Sequence, residues 1–194
     1  MATIDIPRPN IKTLEVTIKG DQPLIFHRFS EKAIKMIQDI QSKSAKAKRV
    51  PKTKAMIEEE YNNSFYYNKQ GQVCFPALNI KNSMVGAGRF IDLKMTQIRG
   101  SVFVKGDNEG LIPVSYKEKV MRTDQVRVSG GGTDIRYRGE VRDWSMMVKI
   151  EYNANFLSAE QVMNLLSTAG FSQGLGEWRP EKDGNYGTFK IEEA

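Results

Sequence analysis

The run Trp144, Met146, Val148, Ile150 and Tyr152, apolar at every second position, constrains this chain more than any other feature. Such alternation fits a half-buried strand, because successive strand side chains point to opposite faces. Ser158-Ala159-Glu160-Gln161 follows with the pattern of a capping box, and Val162, Leu165, Leu166 and Ala169 then recur at helical spacing. Gly170 stands where a C-terminal cap belongs. After a glycine-rich loop, Phe189 to Ile191 is expected to form a short last strand.

The first half carries matching signals. Residues 1–12 hold two prolines and no periodicity, which suggests an extended arm. Leu14, Val16 and Ile18 alternate with Glu15, Thr17 and Lys19 up to Gly20, a second half-buried strand. Pro23 to Phe26 continues as a short apolar segment. Ser30 fits an N-cap, with Glu31 in the first turn and Ile34, Ile37 and Ile40 on one helix face. Pro51 stops any helix there. Pro76 opens another helix, in which Ala77, Ile80, Met84 and Ala87 keep helical spacing up to Arg89. Val102–Val104 and Leu111–Val114 flank Lys105–Gly110 as a hairpin, and Val126–Val128 and Ile135–Arg138 flank the glycine-rich Ser129–Thr133 as a second one.

Without insertions the order is β-α-β-β-α-β. It predicts the α+β class: a ferredoxin-like antiparallel sheet with two helices on one face. A helical insertion would occupy about residues 28–74 and a β-hairpin insertion about 106–142, all in one domain over residues 1–194. No internal repeat or linker divides the chain.

The charge points to a polyanionic partner: 29 Lys and Arg against 23 Asp and Glu give +6. One cysteine, Cys74, cannot form an internal disulfide, which suits a reducing compartment. With one histidine and one cysteine no zinc site is expected, and no other cofactor is called for. No apolar stretch approaches the roughly 20 residues that span a bilayer, and the first residues lack a signal-peptide pattern. A cytoplasmic location, without membrane contact, is the expectation.

Four features are candidates for function. The basic segment Lys43 to Lys54 contains Lys46, Lys48, Arg49, Lys52 and Lys54 with no acid among them, and such cations release counterions from a phosphate backbone. Tyr61, Phe65, Tyr66 and Tyr67 follow as stacking surfaces for bases, or else as core tyrosines beyond a solvated loop, with Glu58, Glu59 and Glu60 diluting the field. The hairpin Arg122 to Arg142 presents Arg122, Arg127, Arg136 and Arg138, whose guanidinium forks suit phosphate; Asp124, Asp134, Glu140 and Asp143 offer internal partners instead. The loop Gly170–Gly187 contains Gly174, Gly176, Trp178, Arg179 and Lys182, either as amides that hold phosphate or as a structural loop with Trp178 plugging the core. His27, beside Arg28, suits acid–base chemistry near neutral pH, or is a histidine set between aromatics.

The segment Phe75–Arg89, with its proline, small and polar residues, Lys81, Gly86, Gly88 and terminal Arg89, resembles the helix-opening motif of the RAMP superfamily, the ferredoxin-like RNA-binding subunits of CRISPR systems. The Gly170–Gly187 loop resembles that superfamily's glycine-rich signature. The hairpin insertion resembles the thumb of its backbone-type subunits. Gly174-Leu-Gly-Glu-Trp-Arg-Pro180 is also similar to a loop of phage-encoded proteins. The resemblance implies that Lys81 and Arg89 line an RNA-facing groove, and that Gly174, Gly176, Trp178 and Arg179 touch the strand or a neighbouring subunit. The expected function is non-catalytic binding of single-stranded RNA, or of single-stranded DNA, by a homo-oligomer or filament. One alternative is a metal-independent endoribonuclease using His27; another is a viral mimic of a CRISPR subunit that acts by protein–protein contact.

Overall fold

The computed structural model describes residues 8–28, 52–128 and 132–192. The helix expected from Ser30 to Ile40 lies outside the described residues, as does the 129–131 turn. The elements run β1 (Ile11–Gly20), β2 (Leu24–Ile25), α1 (Lys54–Asn63), β3 (Tyr66–Tyr67), β4 (Val73–Pro76), α2 (Ala77–Ala87), α3 (Met95–Ser101), β5 (Val102–Lys105) and β6 (Leu111–Pro113). They continue with β7 (Glu118–Val128), β8 (Gly132–Arg142), β9 (Ser145–Asn153), α4 (Ala159–Ser172) and β10 (Phe189–Ile191).

The main sheet has the order β10-β1-β9-β5, with every neighbouring pair antiparallel. Its register follows from the two alternating runs. Val16 stands opposite Val148 and Ile18 opposite Met146, so both central strands turn their apolar residues to one face. Ile80, Met84 and Ala87 of α2 and Val162, Leu165, Leu166 and Ala169 of α4 are buried in the same core. The Ser158 capping box is formed, with Ser158 Oγ accepting from the Gln161 amide and Gln161 Oε1 accepting from the Ser158 amide, worth about 1 kcal/mol. The opposite sheet face is exposed, with Lys149 paired to Glu15 at 3.3 Å and Lys105 to Glu151 at 3.0 Å beside the exposed Ile11, Phe103 and Met147. Among the described residues no helix is long and apolar enough to cross a membrane.

Two expectations need correction. Val102–Val104 and Leu111–Val114 do not pair with each other. β5 pairs with β9, and β6 pairs with β4, placing Phe75 opposite Ile112. The turn between them is closed locally, because the Asp107 carboxylate accepts from the amides of Glu109 and Leu111, both at 2.9 Å. Its two arms then leave for different sheets, since each finds a buried apolar partner there. Gly170, in turn, is no cap. α4 continues to Ser172 with Gln173 as the C-cap, and a Cβ at Gly170 would stand 2.0 Å from the Phe189 carbonyl oxygen. The glycine lets β10 cross the helix.

The second hairpin is long. β7 and β8 pair from Glu118 opposite Arg142 to Val128 opposite Gly132, and β2 joins their sheet through Leu24 opposite Val141. This places the hairpin root beside the start of the main sheet.

Candidate nucleic-acid interface

The loop after α4 folds back onto β2. Gly174 and Gly176 have φ of 67° and 74°, the left-handed region that favours glycine. A Cβ at Gly176 would lie 2.3 Å from the Ile25 carbonyl oxygen, and that oxygen accepts from the Glu177 amide at 3.0 Å. Leu175, 1% exposed, is the loop residue that plugs the core. Trp178 does not. It sits at φ 53°, half-exposed over the hairpin, with Nε1 donating to Asp124 at 3.1 Å. A left-handed non-glycine residue costs about 1–2 kcal/mol, which burial of a leucine, worth about 1.5–3 kcal/mol, offsets.

Helix α2 forms the facing wall. Ser83 Oγ donates to the Gly174 carbonyl at 3.1 Å and ties the walls together. A cleft of about 390 Å³ opens between them, with Asn79 and Asn82 on the helix side and Gly174–Glu177, Arg179 and Glu181 on the loop side. Ile25–His27, Tyr66 and Phe75 complete the lining. Asn79 and Asn82 were not singled out from the sequence; their signal is the i, i+3 spacing on the polar flank of the Ala77/Ile80/Met84 stripe.

His27 joins three elements at this cleft. Its Nδ1 lies 3.0 Å from Glu177 Oε1 and its Nε2 lies 3.4 Å from Arg136 Nη1. One tautomer satisfies both contacts, with Nδ1–H donating to the carboxylate and Nε2 accepting from the guanidinium. The His27 hydrogen bond, opposed by burial and aided by Arg138 and Arg179, holds the Glu177 carboxyl below the usual carboxylate range.

The hairpin arginines continue this network. Arg138 is 4% exposed and pairs with Asp124 at 3.0 Å and with Glu177 at 3.8 Å. Arg122 pairs with Asp124 at 2.7 Å and Glu140 at 3.2 Å, beneath the Tyr186 ring. Arg142 bridges Glu140 and Glu118, and Arg136 lies 3.8 Å from Asp134. Even-numbered residues share this face, so four guanidiniums meet the carboxylates of Glu118, Asp124, Asp134, Glu140 and Glu177. The face is close to neutral. Arg122 and Arg138, expected in a phosphate-binding arginine cluster, are bonded here to the buried acids Asp124 and Glu140. Arg127, on the other face, is exposed.

The remaining predicted cations are dispersed. Lys46, Lys48 and Arg49 lie outside the described residues. Lys52 donates to Glu60 at 2.6 Å and to the Ile135 carbonyl at 2.7 Å, clamping α1 to β8. Lys54 is exposed at the start of α1. Lys81 turns away from the cleft, donating to the Arg99 carbonyl at 2.9 Å over the Phe103 ring, and its partial burial lowers its pKa. Arg89 is exposed and donates to the Gly86 carbonyl at 3.1 Å. Arg179 lines the cleft but pairs with Glu181 at 2.7 Å and donates to the Gly176 carbonyl at 2.7 Å. Lys182 is exposed. The aromatic cluster is mostly structural. Phe65 is fully buried, and Lys119 stands 4.7 Å from its ring centre and 5.5 Å from that of Tyr67. Tyr66 alone of the four lines the cleft, with the Arg28 guanidinium 5.8 Å from its ring centre.

No protein-family model matches this chain, and no curated protein matches it. Among solved structures, a chain from the cryo-EM structure of the type III-B Cmr-beta bound to cognate target RNA aligns over 94% of this chain with a TM-score of 0.58 and 9% identity. This chain covers 59% of that chain's length. Cmr6 from Pyrococcus furiosus aligns over 94% of this chain and 99% of that chain, with a TM-score of 0.47 and 10% identity. The first of these likenesses, together with the antiparallel sheets and the helices beside them, shows that this chain shares the α+β fold of that Cmr-beta chain.

Proposed function

We propose that this protein binds single-stranded nucleic acid, RNA in preference to DNA, at the cleft between α2 and the glycine loop. One observation carries the reading. The two segments with the RAMP-like motifs, Phe75–Arg89 and Gly170–Gly187, are far apart in sequence yet form the two walls of one cleft, joined by Ser83 and Gly174. The strand order, with two helices on one face, supports a ferredoxin-like palm. Support for RNA comes from the fold neighbour, which was solved bound to cognate target RNA. In this reading copies of the chain assemble along one strand in the cytoplasm, without catalysis.

Electrostatic attraction comes mainly from the segment between Arg28 and Lys52, because the hairpin's guanidiniums other than Arg127 are already paired. Residues 29–51 carry Lys32, Lys35, Lys43, Lys46, Lys48 and Arg49 against Glu31 and Asp39, and Arg28, at the segment's start, lies beside Tyr66 of the cleft. Replacing Lys46, Lys48 and Arg49 together by Gln is expected to weaken RNA binding about tenfold at low salt. The salt slope should flatten by as much as about 2, at about 0.7 per lost phosphate contact. Fluorescence anisotropy across a salt series measures both, and an unchanged slope would remove this segment from the interface.

A second reading has its own observation. His27 held by Glu177 and flanked by Arg136 is the arrangement of an oriented general base beside a cation, which suits a metal-independent endoribonuclease. His27→Ala separates the two readings on labelled RNA. Unchanged binding with no cleavage by either protein keeps the binder; wild-type cleavage lost in the variant replaces it.

A further inference from the structure

Resting on the reading of the cleft as a single-strand RNA site, we infer that it takes one unstacked base out of the strand, and that it prefers adenine to uracil. Size comes first. At about 390 Å³ the cleft lies near the bottom of the roughly 300–1,000 Å³ range of small-ligand pockets, room for a nucleotide and not for a stretch of strand.

Charge then decides which part of a nucleotide enters. The cleft is lined by two carboxylates, Glu177 and Glu181, and its one arginine, Arg179, is bonded to Glu181. With Arg179 so paired, the lining leaves no free arginine for a phosphate, while the acids keep unused lone pairs. They accept hydrogen bonds from a neutral group that carries an amine.

The opposite wall carries the complementary groups. Asn79 and Asn82, three residues apart, expose two amides on one face of α2, and among the described residues neither side chain has a hydrogen-bond partner. A side-chain amide sets a donor beside an acceptor. That pair matches the N7 acceptor and N6 amine of adenine, whose second amine hydrogen stays free for a carboxylate; uracil has the single donor N3–H to share between the two walls. Tyr66, lining the cleft with Arg28 beside its ring, supplies planar groups on which an extruded base can stack. The phosphates stay outside, toward Arg28.

The test compares labelled oligo(rA) and oligo(rU) of equal length against the full chain and against the double variant Asn79→Ala, Asn82→Ala. Both asparagines are exposed and alanine favours helix, so the variant keeps its fold. Wild type should bind oligo(rA) about tenfold more tightly, the lower part of the discrimination that one good bidentate contact supplies. The variant should lose that preference while its affinity for oligo(rU) stays within about twofold. Equal affinities in wild type, or a preference that survives in the variant, overturns the adenine pocket and leaves the RNA-binding reading standing. Failure of wild type to bind either strand overturns both.

Discussion

Gly170→Ala is expected to destabilise this protein by about 3 kcal/mol, against the usual sign for such a change in a helix. An interior glycine costs about 1 kcal/mol relative to alanine, so the substitution ordinarily stabilises. Here the added Cβ would stand 2.0 Å from the Phe189 carbonyl oxygen and 3.0 Å from its carbonyl carbon. The obstacle is backbone and cannot rotate aside. Phe189 is buried and pairs with Gly20 in the main sheet, so relief requires moving β10 away from β1. Overpacking of this kind outweighs the helix gain. Gly100 in α3 is the internal control, because nothing lies within 4 Å of a Cβ built there. Gly100→Ala should be neutral or stabilising by up to about 1 kcal/mol. Urea unfolding of the two variants reads the contrast. Equal stabilities would mean that β10 does not cross α4 at Gly170.

Asp124→Asn is expected to cost about 3–5 kcal/mol, the range for removing one partner of a buried ion pair. Asp124 accepts from Arg122 at 2.7 Å, Arg138 at 3.0 Å and Trp178 at 3.1 Å. The neutral amide leaves Arg138 buried with only Glu177 at 3.8 Å. Replacing both partners, Asp124→Leu with Arg138→Met, should cost less than the two single changes added together, by about 1 kcal/mol or more, because neither charge is then stranded. The same acid predicts a pH profile. Burial raises the Asp124 pKa, but hydrogen bonds from Arg122, Trp178 and Arg138 outweigh it and leave the carboxyl below its ordinary value. Glu177 is depressed as well. A depressed carboxyl stabilises the fold above its unfolded pKa of about 4, and that contribution is lost as pH falls through the lower folded value. Stability should therefore be level from about pH 7 to 5 and decline below, with a shallower decline in Asp124→Asn. An identical acid limb in the variant would show that the hairpin network carries none of the linkage.

The network also explains which readings were available from sequence. The runs Leu14–Ile18 and Trp144–Tyr152, the Ser158 cap and the Pro76 helix start were legible because each is a local pattern whose period or cap chemistry is set within a few residues. Those elements set the α+β class and the core face of each strand. Pairing was not legible. Val102–Val104 has the pattern of a strand whichever strand it meets, and only the buried surfaces of β9 and β4 decided that β5 and β6 part company.

The candidate site divides along the same line. Glycine spacing and the helix motif marked two segments, and sequence alone sufficed for that, because a left-handed turn and a close backbone approach each demand glycine. Which charges remain for a ligand was a question of tertiary structure. Arg122, Arg136 and Arg138 read as a basic cluster along the chain, but the strand pairing places Asp124 opposite Arg136, and folding of the loop brings Glu177 to Arg138 and His27. Coulomb energy depends on distance in space, and a sequence lists charges without their distances. The chain's order thus determined the strands, the helices and the walls of the cleft. The folded contacts alone decided that the arginine-bearing face of its hairpin is close to neutral and that the polar groups left facing the cleft include two asparagines.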